Sequence, residues 1–253
     1  VAREAGVPTI MIGASAPGLA GGSDSIFSGY ASDAFQGKFA AEYVYNTLGK
    51  RKVAILWVNN DWGTGIRGVF AKRFVELGGQ VVFDEGVAQS ATDVRSQVAK
   101  IKSAAPDVVY MPLYPAGAVI AVKQLKEAGV NAAIFGGDAL VGDEFLNSGV
   151  SEGVMFVTGA VGNSDAFKAK IKAETGLESP NIIAPLAYDA LKVFAKVIGE
   201  RGSDASDVIA GLNALSYKGG VSFPTISFDD NGDLEGATYD VQVAQNGKAV
   251  IVK

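Results

Sequence analysis

Val53-Ala54-Ile55-Leu56-Trp57-Val58 runs straight into Asn59-Asn60-Asp61-Trp62-Gly63. The first six residues are almost continuously apolar, as strands covered on both faces of a parallel sheet are. Beyond the polar and aromatic loop, Ile66, Val69, Phe70, Phe74 and Leu77 recur at helical spacing, which predicts a helix over 64–77. The same strand-to-loop step occurs four more times. Val7–Ile12 ends in Gly13-Ala14-Ser15, Val108–Leu113 in Tyr114-Pro115, Ala132–Phe135 in Gly136-Gly137-Asp138, and Val154–Val157 in Thr158-Gly159. Parallel α/β sheets bind ligands beyond the carboxyl ends of their strands. The groups at these ends are a hydroxyl in a small-residue turn, a tryptophan, a tyrosine and a carboxylate, which suit a small zwitterion better than bond breaking.

Working outward, a further strand is expected at Gln80–Phe83. Helices are expected over 33–48, with Phe35, Phe39, Tyr43, Val44 and Leu48 on one face, and over 94–105 and 116–128. Gly49, Gly78, Gly129 and Gly176 stand where these and a later helix should stop. Repeated strand–helix–strand units imply an α/β fold with helices on both faces of parallel sheet. After about Gly162 the pattern changes to helices over 165–174, 184–200 and 204–215. The chain then ends in alternating segments joined at Asn231-Gly232 and Asn246-Gly247, which predicts antiparallel hairpins at the C-terminus.

With 253 residues, 48% hydrophobic and 19% charged, the chain can bury one large or two medium cores. Cysteine and histidine are both absent. This removes thiolate nucleophiles, disulfides, Cys/His zinc sites and the usual proton carrier near neutral pH. A net charge of −5 disfavours nucleic acid as a partner, since a basic stripe supplies most of that affinity. No apolar run approaches the length needed to span a bilayer, so no direct membrane insertion is expected. No signal peptide is apparent at the start, where Val1–Gly6 reads as the end of a helix.

Two motifs suggest other chemistry. Gly63-Thr64-Gly65-Ile66-Arg67-Gly68 matches the dinucleotide fingerprint, follows a strand, opens a helix, and has Asp84 ending the next strand. That fingerprint needs its first glycine directly after the strand, so that pyrophosphate meets the helix N-terminus. Asn59-Asn60-Asp61-Trp62 intervene and put an indole and a carboxylate there instead. A dinucleotide-dependent enzyme built on Gly63–Gly68 therefore remains the weaker alternative, with no acid–base pair standing out. Asp229-Asp230-Asn231-Gly232-Asp233 suggests calcium, but Ser227 stands where the loop's first aspartate is required, so a hairpin turn is expected. No cofactor and no metal are expected.

Taken in order, Ala5-Gly6-Val7-Pro8 through Ala14-Ser15-Ala16-Pro17, Asn60-Asp61-Trp62-Gly63, Tyr114-Pro115, Gln124–Gly129, Gly136-Gly137-Asp138, Ala187-Tyr188-Asp189-Ala190 and Phe228–Asp233 resemble one family. It is the leucine/isoleucine/valine-binding protein family of ABC-importer receptors, with the type I periplasmic binding protein fold, and the resemblance covers essentially the whole chain. The resemblance implies two α/β lobes that close on a small amino acid or a related carboxylate or amide in a cleft, no enzyme activity, an ABC permease as partner and a periplasmic or other extracytoplasmic location. It implies that Gly13, Ala14 and Ser15 hold the ligand carboxylate, Asp138 the ammonium, and that Trp62 and Tyr114 cover the ligand. It assigns 1–49 and 163–220 to the remainder of a first lobe, and 50–162 and 221–253 to the second. Further strand–helix units of the first lobe are expected to be missing upstream. A ligand-sensing regulatory domain of the same fold is the alternative within this resemblance.

Overall fold

The computed structural model describes residues 1–21, 24–177 and 181–252. Among the described residues the chain opens with β1 (Thr9–Met11), β2 (Ile26–Ser28) and α1 (Asp33–Glu42), the last prolonged by a π-helical turn at Tyr43–Thr47. Next come β3 (Lys52–Val58), α2 (Asp61–Glu76), β4 (Gln80–Val87), α3 (Arg95–Ala104), β5 (Val108–Met111), α4 (Pro115–Glu127) and β6 (Ala133–Gly136). A 3₁₀ turn at Asp138–Val141 leads to α5 (Asp143–Leu146), β7 (Met155–Gly159), α6 (Asp165–Thr175), α7 (Ile183–Arg201) and α8 (Ala205–Asn213). The short strands β8 (Tyr217–Lys218) and β9 (Thr225–Ile226) precede the closing hairpin of β10 (Tyr239–Gln245) and β11 (Lys248–Ile251).

The chain divides into two compact units, Val1–Ser32 with Ala160–Thr238, and Asp33–Gly159 with Tyr239–Lys253. The second unit holds a seven-stranded sheet in the order β11-β10-β7-β6-β5-β3-β4. Strands β4, β3, β5, β6 and β7 are parallel, and β10 and β11 add antiparallel to the β7 edge. Strand alternation explains how one sheet fills two cores. Ala54, Leu56, Val58, Val109 and Met111 face the layer of α3, α4 and α5. Val53, Ile55, Val108 and Tyr110 face Ala40, Ala41, Val44, Phe70 and Phe74 from α1 and α2. The β10–β11 turn is the expected one: Asn246 (φ 52°) and Gly247 (φ 71°) are both left-handed, as a two-residue hairpin with native twist requires.

The first unit centres on α7 and α8, whose Leu186, Val193, Val197, Val208 and Leu212 pack with Phe27, Phe223 and Phe228. Strand β2, absent from the sequence expectation, pairs parallel to β1. With three residues, it is too short for alternation to register against its glycine- and serine-rich surroundings. Val1–Gly6 forms a hydrogen-bonded turn closed by left-handed Gly6, with the bond pattern of a helix end: the Ala5 N–H donates to the Val1 carbonyl and the Val7 N–H to the Ala2 carbonyl, both at 3.0 Å.

Three expectations change. Residues 33–49 fold with the second unit, because α1 lies against α2: a Cβ on Gly37 would sit 3.0 Å from the Ile66 carbonyl oxygen and the Val69 Cβ, and Arg73 pairs with Glu42 at 2.7 Å. Residues 221–238 fold with the first unit. Buried Asp189 of α7 accepts the Val221 and Ser222 N–H groups at 3.0 and 2.7 Å, and the Phe228 ring lies 5.0 Å from that of Phe27. Phe35 does not join the buried face of α1; it is 51% exposed, and that face consists of Asp33, Gln36, Gly37, Ala40 and Ala41.

Candidate ligand site

The loop after β3 opens α2 with a side-chain cap. Asn60 is extended, and its Oδ1 accepts the Gly63 N–H at 2.9 Å, satisfying a donor the first helical turn leaves open. Gly63 is required at that point, because a Cβ there would fall inside the Val58 carbonyl oxygen. The capped turn fixes Trp62, half-buried at the carboxyl end of β3. After β5, Tyr114 is extended and Pro115 starts α4, a position where the absent N–H is no loss. The two rings stack 4.9 Å apart at 21°, and the Asn60 amide donates to the Tyr114 hydroxyl at 3.4 Å. Tyr114 also lines a small recess with Val58, Val87, Val94, Leu113 and Gly117.

The third loop follows β6. A Cβ on Gly136 would press into the Leu140 side chain, so glycine lets the 3₁₀ turn fold back over the strand end without moving that leucine. Gly137 is extended and Asp138 opens that turn. A Cβ on Gly137 would lie 3.9 Å from Cζ2 of Trp62, which puts the Asp138 loop beside the aromatic pair. The Asp138 N–H donates to Oε1 of Gln36 at 3.2 Å, and Nε2 of Gln36 donates to Oδ1 of Asp33 at 2.9 Å. Asp33 and Gln36 are fully buried. Tyr110 of β5 lies fully buried in the same layer, and burial together with the Asp33 and Asp138 charges holds its phenol protonated well above the usual range. In the first unit, Gly13 and Ala14 are exposed just past β1, whereas Ser15 is buried. A Cβ on Gly13 would lie 3.3 Å from Cδ1 of Ile183.

Of the expected site residues, the structure therefore stacks Trp62 on Tyr114 with the loop that carries Asp138 beside them in the second unit, and holds Gly13, Ala14 and Ser15 in one irregular segment of the first. A sequence model described as periplasmic binding protein matches residues 1–248. The chain belongs to this periplasmic binding protein family. A curated relative, the Leu/Ile/Val-binding protein BraC3 of Rhizobium johnstonii, is 30% identical over 99% of this chain and 70% of its own length. The solved leucine-binding protein LivK of Thermotoga maritima superposes with a TM-score of 0.88 at 25% identity, covering 100% of this chain and 74% of that one. The branched-chain amino acid transporter substrate-binding protein LivJ of Streptococcus pneumoniae, solved with isoleucine, gives 0.82 at 28% identity, with 100% and 74% covered. This chain is thus similar to substrate-binding proteins of transporters, and its α/β architecture is theirs.

The two motifs that suggested other chemistry have their polar groups tied up within the fold. Asp84 does not end β4, which continues to Val87 in register with β3. Its carboxylate is engaged by Arg67, through Nε at 2.8 Å and through Nη2, and by the Trp57 indole N–H at 2.9 Å. The acid expected to meet a ribose is thus tied to a guanidinium, and the Gly63 N–H expected to meet phosphate is tied to Asn60. Asp229 accepts the N–H groups of Asn231 and Asp233, both at 2.9 Å, and left-handed Gly232 completes a turn. Among the described residues no three carboxylates gather as a metal site. Asp33 and Gln36 were missed by the sequence reading. Their spacing to Gly37, Ala40 and Ala41 was the available signal.

Proposed function

We propose that this chain is the extracytoplasmic solute receptor of an ABC importer and that its ligand is a small α-amino acid. The observation that carries the reading is the Trp62–Tyr114 stack with the Asp138 loop at its side. An aromatic pair offers apolar cover, and an adjacent carboxylate offers a counter-charge for an ammonium. In this reading Asp138 takes the ammonium, and Trp62 and Tyr114 cover the side chain. The names of the Rhizobium, Thermotoga and Streptococcus relatives support branched aliphatic amino acids as the first class to test. A regulatory role has no such support among them. An ABC permease is the partner this reading implies.

A charge-assisted bond contributes about 1.5–3 kcal/mol net, so a few of them with one aromatic lid reach about −8 kcal/mol, or micromolar affinity. Calorimetry with leucine, isoleucine and valine, and with benzoate as an acid lacking an ammonium, tests the assignment. Asp138→Ala is expected to weaken the amino acids by about 3 kcal/mol, because a desolvated ammonium loses its partner. Equal affinities of wild type and variant would remove Asp138 from the role. Wild-type binding of benzoate but of none of the three amino acids would replace the ligand class.

A further inference from the structure

The face of α1 turned toward β5 and β6 should be the driest place in the second unit, yet it carries an amide and a carboxylate. Asp33 and Gln36 are both fully buried, over the layer that holds Phe70, Phe74 and Phe135. Burying such groups costs stability that apolar residues of equal volume would not lose. Beside them the Tyr110 hydroxyl is buried without a hydrogen-bond partner among the described residues, a second cost in the same place. Burial of apolar surface therefore does not account for this cluster.

Its connectivity gives one. A carboxylate only accepts hydrogen bonds and a backbone N–H only donates, so Asp33 and the Asp138 N–H together fix the Gln36 amide in one orientation. Asp33 orders Nε2, and this aims Oε1 at the peptide of Asp138. Gln36 is 102 residues away from Asp138 in sequence, so the bond ties the start of α1 to the loop after β6. Gly137 is part of the device, since a Cβ there would press on Oε1 at 3.0 Å. Building on the amino-acid reading above, we propose that Gln36 is a positioning residue: through the Asp138 backbone it fixes the carboxylate that meets the ligand ammonium, and so sets discrimination between an amino acid and its deaminated analogue.

The probes are L-leucine and 4-methyl-2-oxopentanoate, which share the side chain and the carboxylate and differ at the ammonium. Calorimetry on the full chain should give wild type a preference for leucine of about 100-fold or more, because a buried site built for a polar group rejects the analogue lacking it. Gln36→Met, and Gln36→Glu once ionised, should each cut that preference about tenfold, through loss of leucine affinity and with the keto acid within about threefold of wild type. Gln36→Glu adds a pH signature. When protonated it can donate to Asp33 and accept from Asp138 as the amide does; once ionised it opposes Asp33. Its leucine affinity should therefore fall between pH 5 and pH 8 while that of wild type stays level.

Folded variants with an unchanged preference overturn the positioning role, as does an affinity lost equally for both probes. A wild type that takes neither leucine, isoleucine nor valine overturns the amino-acid reading itself, and this inference with it. Should neither variant fold, hydrogen exchange of the wild-type Asp138 amide decides. Protection without ligand is expected, and free exchange overturns the role.

Discussion

Two alanine substitutions in Gly63–Gly68 separate a packing glycine from a dispensable one. At Gly63 a Cβ would fall inside the Val58 carbonyl oxygen and lie 2.9 Å from Val58 Cγ1, and the nearest obstacle is backbone that cannot rotate away. Carbon contacts settle at about 3.5–4.0 Å, so the first turn of α2 must lift off the end of β3. Overpacking of this kind costs about 1–3 kcal/mol, and lifting the turn also breaks the Asn60 cap, worth about 1 kcal/mol. Together Gly63→Ala should lose about 3 kcal/mol, or about 6–12 °C in Tm. At Gly68 nothing lies within 4 Å of the added methyl. Alanine in a helix interior is favoured over glycine by about 1 kcal/mol, so Gly68→Ala should gain about 2–4 °C. Both tryptophans of the chain, Trp57 and Trp62, lie in the second unit, so tryptophan fluorescence in urea reads that unit selectively. Opposite shifts of the two midpoints are expected. A Gly63→Ala midpoint equal to that of wild type, or two shifts of the same sign, would refute the packing argument.

Tyr110→Phe removes a buried hydroxyl that has no partner among the described residues and should stabilise by about 1 kcal/mol, read as a later urea midpoint; a loss above about 1 kcal/mol would mean that the hydroxyl is bonded. Asp233 is held above the usual carboxylate range by burial and then by the Asp229 charge, so its ionised form costs stability, and the cost appears as pH rises through the folded pKa. Asp233→Asn should therefore gain about 0.5 kcal/mol at pH 7, fading below pH 4 in thermal melts, and a gain that grew in acid would reverse the sign. Asp107 is the opposite case: the Arg51 and Lys52 N–H groups at 3.0 and 2.9 Å hold it below the usual range. Its contribution is present above the unfolded pKa and is lost as pH falls through the folded one, so Asp107→Asn should cost about 1 kcal/mol at pH 7 and nothing in strong acid.

The parallel core of the second unit was legible because its strands are apolar runs and its helices end at glycine. Gly49, Gly78, Gly129 and Gly176 are all left-handed, as their places after helical patterns implied. That Trp62, Tyr114 and Asp138 stand just past strands was legible from the apolar runs before them. The unit boundary was not, because it depends on which partner α1 packs against, and no local pattern encodes that. In Ala187-Tyr188-Asp189-Ala190, quoted above for the resemblance, the two aspartate oxygens accept the Val221 and Ser222 N–H groups and the Ser222 hydroxyl. The acid anchors a loop of the first unit.

The misreading of α1 has the most consequence. Phe39, Tyr43, Val44 and Leu48 pack against the core as their spacing implies, but Phe35 does not, and at Gly37 α2 approaches so closely that a Cβ would press on it. With the bulk excluded, the helix turns Phe35 to solvent and presents Asp33 and Gln36 inward at the same register. Close helix packing and a buried polar relay are thus one arrangement, in which the small residues that admit α2 also bring Gln36 within reach of Asp138.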